Sequence, residues 1–110
     1  MTMHIPAADH DGRTALMRAC IFGHEGVVRT LLARGARQEL QSIERGQTAL
    51  HFAVSFDQSR IVELLCAAPG ADAALAHKNR AGRTPLAYAL WSGGRAGMVA
   101  ALRARGAPAG

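Results

Sequence analysis

Five histidines, two cysteines and eight carboxylates are the groups in this 110-residue chain best suited to hold a metal or move a proton. Their spacing favours neither task. His4, His10, His24 and His77 show no ligand spacing among themselves or with Cys20 and Cys66, whereas a zinc site needs short, regular gaps between ligands. Asp9 beside Asp11 is a pair that could attract a cation, but one aspartate is equally what a turn uses to bond its own backbone. Gly93-Gly94-Arg95-Ala96-Gly97 resembles a phosphate loop only faintly. It lacks the Gly-Lys-Ser/Thr ending and a preceding strand. No Ser/His/Asp, Cys/His or paired-carboxylate constellation is present, so neither an enzyme nor a metal or cofactor site is expected. What remains is the chemistry of recognition. Trp91, Phe22 and Phe56, with arginines including Arg13, Arg45, Arg80 and Arg83, belong to residue types that dominate interface energy or are enriched at interfaces.

The elements that position these residues recur. Gly12-Arg13-Thr14-Ala15-Leu16 returns as Gly46-Gln47-Thr48-Ala49-Leu50 and as Gly82-Arg83-Thr84-Pro85-Leu86, with Thr-to-Thr steps of 34 and 36 residues. A period in the thirties is the mark of a repeat array. Five positions after each Thr comes an alanine, Ala19, Ala53 or Ala89, small enough for two helices to approach closely. Apolar clusters follow at helical spacing: Val27, Val28, Leu31 and Leu32; Ile61, Val62, Leu64 and Leu65; Met98, Val99 and Leu102. Each gives a helix a stripe to bury. The units close with Gly35-Ala36, Gly70-Ala71 and Gly106-Ala107, where glycine suits the left-handed end of a helix. Thr is a competent N-cap, and Pro85 fits the first helical position. Each unit therefore reads as turn, helix, short loop, helix, with helices near 15–22 and 25–34, 49–56 and 59–68, and 85–91 and 96–105.

This pattern resembles the ankyrin repeat. The resemblance rests on Asp9, Gly12, Thr14, Leu16, Ala19, Gly23-His24, Val27-Val28, Leu31-Leu32 and Gly35-Ala36 in the first unit. The second offers Thr48-Ala49-Leu50-His51, Ala53, Ile61-Val62, Leu64-Leu65 and Gly70-Ala71-Asp72. The third offers Asn79, Gly82, Thr84-Pro85-Leu86, Ala89, Gly93 and Val99. It implies an all-α fold, an α-solenoid of three helix-turn-helix repeats (about 9–42, 43–78 and 79–110) with protruding turns, after a loosely held segment 1–8. The chain departs from the family phrase in keeping its proline only at Pro85 and its histidine only at His51, and extra residues fall in Ala67-Ala68-Pro69 and Gly93–Gly97. By the same resemblance, His51 bonds a neighbouring turn and ties repeats together. Contacts with a partner then fall on turn tips and on the inner face of each first helix. The tips are His10, Asp11 and Arg13; Glu44, Arg45 and Gln47; and Arg80, Ala81 and Arg83. The helix positions are Ile21 and Phe22; Ser55 and Phe56; and Trp91 and Ser92.

Phe22, Phe56 and Trp91 lie seven or eight residues after their threonines, so stacking sets them in a row beside the arginines. Two placements are open for Phe22 and Phe56: an exposed apolar stripe, or a position tucked between repeats. Trp91, followed by Ser92-Gly93-Gly94, is expected half exposed at a helix end. The chain is thus read as a protein-interaction module (adaptor, scaffold or inhibitor), its partner another protein held on the concave face. The alternative is a basic binder of nucleic acid or acidic phospholipid, resting on a net charge of +5. The arginines are scattered without a run, however, so nucleic acid is not the expected partner. Arg18 and Arg103 replace residues that would pack against a neighbouring repeat, either as charged caps that would make this a complete small stack, or as side chains simply turned to solvent. Cys20 and Cys66 fall at helix positions facing the stack, so free buried thiols are expected rather than a disulfide. The N-terminal residues lack a signal peptide's apolar core and no stretch is long enough to span a bilayer. Location in the cytoplasm, with the nucleus as second choice, no membrane insertion and a monomer complete the expectation.

Overall fold

The computed structural model describes residues 14–106. Segment 1–8, Asp9, His10, Asp11, Gly12, Arg13 and Ala107 therefore lie outside the described residues. Within them the chain forms seven helices: α1 (Ala15–Phe22), α2 (Glu25–Ala33), α3 (Ala49–Ser55), α4 (Ser59–Ala67), α5 (Ala71–Ala76), α6 (Pro85–Trp91) and α7 (Ala96–Ala104). No strand occurs among the described residues.

The recurring threonines start the first helix of each unit. The Oγ1 atoms of Thr14, Thr48 and Thr84 accept from the backbone N–H of Met17 (3.2 Å), His51 (3.3 Å) and Ala87 (3.2 Å). Each bond satisfies a donor that the helix leaves without an internal partner. Within each unit the two helices pack as a hairpin: α1 on α2, α3 on α4, α6 on α7. The hairpins then stack in sequence order. The inner helices run α1, α3, α6 and the outer helices α2, α4, α7, each touching its neighbour. The repeated alanines Ala19, Ala53 and Ala89 are all buried, as close helix approach requires.

The core is one continuous cluster along the stack. It joins Leu16, Met17, Cys20, Val28 and Leu31 to Leu50, Ile61, Val62 and Leu65, and these to Leu86, Met98 and Leu102. Each buried aliphatic side chain contributes about 1.5–3 kcal/mol, and because the cluster runs unbroken from hairpin to hairpin, neighbouring repeats bury each other's apolar faces. Arg103 is exposed on α7 and Arg18 half-buried on α1.

Helix α5 is the one element the sequence pattern did not forecast. The chain was expected to loop directly from Gly70-Ala71 to the third unit. Instead Gly70, in the left-handed region at φ 87°, reverses the chain after α4, and Ala71, Ala74 and Leu75 then bury one face against α4, α3 and α6. Gln38 fixes the bend from the other side: its buried Nε2 donates to the carbonyls of Leu65 and Pro69, each at 3.0 Å. The longer second step between threonines is thus taken up by a helix turn and a half long.

Candidate functional site

The linkers before α3 and α6 project as turns built on the same plan. In the first, Ser42 N–H donates to Gln47 O (2.8 Å) and Gln47 N–H to Ser42 Oγ (3.1 Å). In the second, Asn79 N–H donates to Arg83 O (2.9 Å), while Asn79 Oδ1 accepts from Ala81 and Arg83 N–H, both at 3.0 Å. A polar side chain stands in for backbone in each. The turns are also joined to one another: Arg80 N–H donates to Arg45 O (2.9 Å), and Asn79 Nδ2 donates to Gln47 Oε1 (3.1 Å).

His51 completes this join, as the resemblance implied. Thr48 N–H donates to its Nδ1 (3.2 Å), which leaves Nε2 to donate to Arg83 O at 2.8 Å. The ring is fully buried. Burial holds its pKa below the ordinary value, assisted by the charge of His77 and opposed by the bond to Arg83. The neutral imidazole is therefore a structural strut.

Two hollows lie between these turns and the inner helices. The first, about 250 Å³, is lined by Ile21 at the end of α1, by Phe52, Ser55 and Phe56 of the α3 end, and by Ser42, Glu44, Arg45 and Gln47 of the turn. The second, about 410 Å³, shares Glu44, Arg45 and Gln47 and adds Asn79, Arg80, Ala81, Arg83, Tyr88 and Trp91. Ser55 Oγ and Tyr88 Oη, 3.2 Å apart, bridge α3 to α6 between them.

The rings are not tucked into the core. Phe22 is 69% exposed, Phe56 50% and Trp91 64%. Trp91 packs at 5.8 Å between centroids on Tyr88, and the Arg83 guanidinium sits 4.2 Å above the Trp91 ring. The structure gathers Ile21, Ser55 and Phe56 into the first hollow, Arg80, Arg83 and Trp91 into the second, and Arg45 and Gln47 into both. It separates Phe22, which lines neither hollow and lies beside His24 at 6.2 Å. The expected row of three is thus two rings in hollows and one outside. Gln47 also departs from its expected place. It is only 4% exposed, with its carbonyl engaged by Asn79, because the turn folds this side chain inward to meet the next turn. Arg13 is outside the described residues. Tyr88, which is not among the expected contact positions, is half-buried with its hydroxyl at the hollow rim. The phenolic oxygen was the available signal, since a tyrosine keeps its hydroxyl on a polar partner.

The arginines around the second hollow carry no ion pair among the described residues. The pairs that do form lie elsewhere: Arg37–Glu39, Arg95–Asp57 and Arg105–Asp72. Cys20 and Cys66 are free and buried, with burial pushing their thiols up to about 12 and about 11. Such thiols are poor nucleophiles at neutral pH. No group of three metal-ligating side chains comes together among the described residues. No helix there is long and apolar enough to cross a membrane.

Comparison with known proteins agrees with this geometry. The family described as Ankyrin repeats (3 copies) matches residues 3–76 and again 38–108. Rabankyrin-5 of Mus musculus is 39% identical over 80 residues, which is 73% of this chain and 7% of that protein. Two plant proteins are similar over shorter stretches. A probable E3 ubiquitin-protein ligase, XBOS32, of Oryza sativa subsp. japonica is 37% identical over 59% of the chain, and the E3 ubiquitin-protein ligase XBAT33 of Arabidopsis thaliana is 38% identical over 57%. Each match covers no more than 13% of the relative's own length. The family match spans the capped hairpins and joined turns described above: the chain belongs to the ankyrin repeat family, whose repeats are in general protein–protein interaction modules.

Proposed function

We propose that the chain is a small adaptor, scaffold or inhibitor module that holds another protein against its inner helices and turn tips, and that it does so as a monomer. One observation carries this reading. Phe56 and Trp91 stand exposed in adjoining hollows whose rim bears Arg45, Arg80 and Arg83. A large aromatic left in water has area to bury on a partner, and aromatic and arginine anchors of this kind supply most of an interface's energy. The buried free thiols fit work in a reducing compartment, the cytoplasm or the nucleus.

Capture from a cell extract, with wild type beside Trp91→Ala, tests this directly. A protein retained by wild type and lost with the variant is the expected result. Release of the bound material by nuclease, or its displacement by anionic vesicles, overturns the reading in favour of a phosphate-bearing ligand.

A further inference from the structure

We infer that the segment held by this surface is an extended acidic peptide, anchored by one apolar side chain and, about three residues away, one carboxylate. This rests on the interaction-module reading above and gives it a partner chemistry.

The charge argument comes first. Arg45, Arg80 and Arg83 surround the second hollow, against a single carboxylate, Glu44. None of the three guanidinium groups forms an ion pair among the described residues. Arg83 is held differently from the other two. Its guanidinium lies over Trp91, and its backbone is fixed by Asn79 and His51. A planar group stacked on an indole loses little further freedom on binding, and its N–H edges remain available for a two-pronged bond to a carboxylate. With that face of Trp91 already taken by a cation, the hollow suits an anion and repels a second positive charge.

The first hollow shares Glu44, Arg45 and Gln47 with the second, but Ile21, Phe52 and Phe56 add an apolar floor to it, with Ser42 and Ser55 at the edge. It lies between α1, α3 and the turn before α3, and the second hollow lies between that turn, the turn before α6 and α6, one repeat further along the stack. Packed helices stand about 8–10 Å apart. An extended chain advances about 3.3 Å per residue, so about three residues cover that step. A peptide laid across the inner helices therefore meets the apolar floor and the Arg83 fork at positions i and i+3, in one direction or the other.

The test is selection from a phage-displayed library of random peptides, followed by titration of synthetic peptides made from the selected sequences. The expected consensus is an apolar residue with Asp or Glu three positions away. Binding falls about tenfold or more when that acid is changed to its amide, or when the protein carries Arg83→Gln. Glu44→Gln tightens binding, because it removes the one like charge. An unchanged melting temperature of the Arg83→Gln protein excludes a merely structural loss. Selected peptides that depend on Trp91 and Phe56 but carry no acid, or tolerate any spacing, overturn this inference and leave the interaction surface standing. Binders indifferent to Trp91→Ala, or failure to select any, overturn both. Displacement of the peptides by oligonucleotide or by anionic vesicles at equal charge overturns the peptide assignment.

Discussion

The Nε2–H of His51 donates to the carbonyl oxygen of Arg83 at 2.8 Å, joining residues 32 apart in sequence. The bond unites two links of the chain from sequence to function. Its donor is made available because Thr48, the N-cap of α3, occupies the other ring nitrogen. Its acceptor belongs to the residue whose side chain lies over Trp91. A capping interaction inside one repeat thereby sets the backbone that presents an arginine in the next.

His51→Gln is accordingly expected to cost about 1–3 kcal/mol, through unpaired polar groups left in a buried turn. The wild type should also weaken on mild acidification. Burial holds the folded His51 pKa below the ordinary 6.5, so as pH falls the unfolded chain takes up this proton first. The histidine's contribution is complete above about pH 6.5 and drains away as pH drops towards the folded value. Melting temperatures across this range check the point. The wild type should lose stability with acid more steeply than His51→Gln, and parallel curves would exclude the histidine as the cause.

Asp57 is the only residue other than glycine at positive φ among the described residues, at 57°. It stands in the hairpin loop where the other units have Gly23 and Gly93, at φ 74° and 76°. Aspartate tolerates this region better than most side chains, through local hydrogen bonding. Its carboxylate also meets the Arg95 guanidinium at 3.0 Å, an exposed pair and so a weak one. Asp57→Asn should therefore be nearly neutral, within about 0.5 kcal/mol. Asp57→Val should destabilise by about 1–3 kcal/mol, since a β-branched residue is strained there. Equal denaturant midpoints for the two variants would refute the backbone explanation.

The first and second helices of each repeat were legible because threonine caps, apolar stripes and small alanines agree on one answer. The turns were legible only as positions. Nothing in the spacing of Gln47 tells that its amide folds inward to Asn79, because that depends on how one turn sits on the next. Phe22 and Phe56 occupy matching places after their threonines, yet of the two only Phe56 lines one of these hollows, because spacing within a repeat does not tell which turn of a neighbour a ring will meet. Helix α5 was hidden for a different reason. Its alanines carry strong helix propensity, but six residues are too few to display a period, and their burial comes from neighbours distant in sequence.

Helix α5 also adds to the stability of the stack. Leu75 is buried on α5 among residues of the surrounding helices. Leu75→Ala should cost about 2–5 kcal/mol, a loss comparable with truncating a residue of the repeating core such as Leu65. Ala73, exposed on the same helix, should accept glycine for about 1 kcal/mol or less. A Leu75→Ala protein as stable as wild type would mean that the segment is a loose linker after all.

Trp91 gives the surface an optical reporter, because it is the sole tryptophan. At 64% exposure its indole meets solvent, so small quenchers should reach it readily. The charge of the quencher should then matter. Arg45, Arg80 and Arg83 surround the hollow in which the ring lies, with Glu44 the single opposing charge, and such a field concentrates anions and repels cations near the ring. Iodide is therefore expected to quench Trp91 fluorescence more steeply than caesium at equal ionic strength. The difference should shrink as salt shortens the range of the field. Replacing Arg45 and Arg80 with glutamine, while leaving the Arg83 stack on the indole in place, should bring the two quenchers towards parity without shifting the emission maximum. If caesium quenches as well as iodide in the wild type, the arginines do not act together on the hollow, and an anionic segment would have no electrostatic reason to settle there.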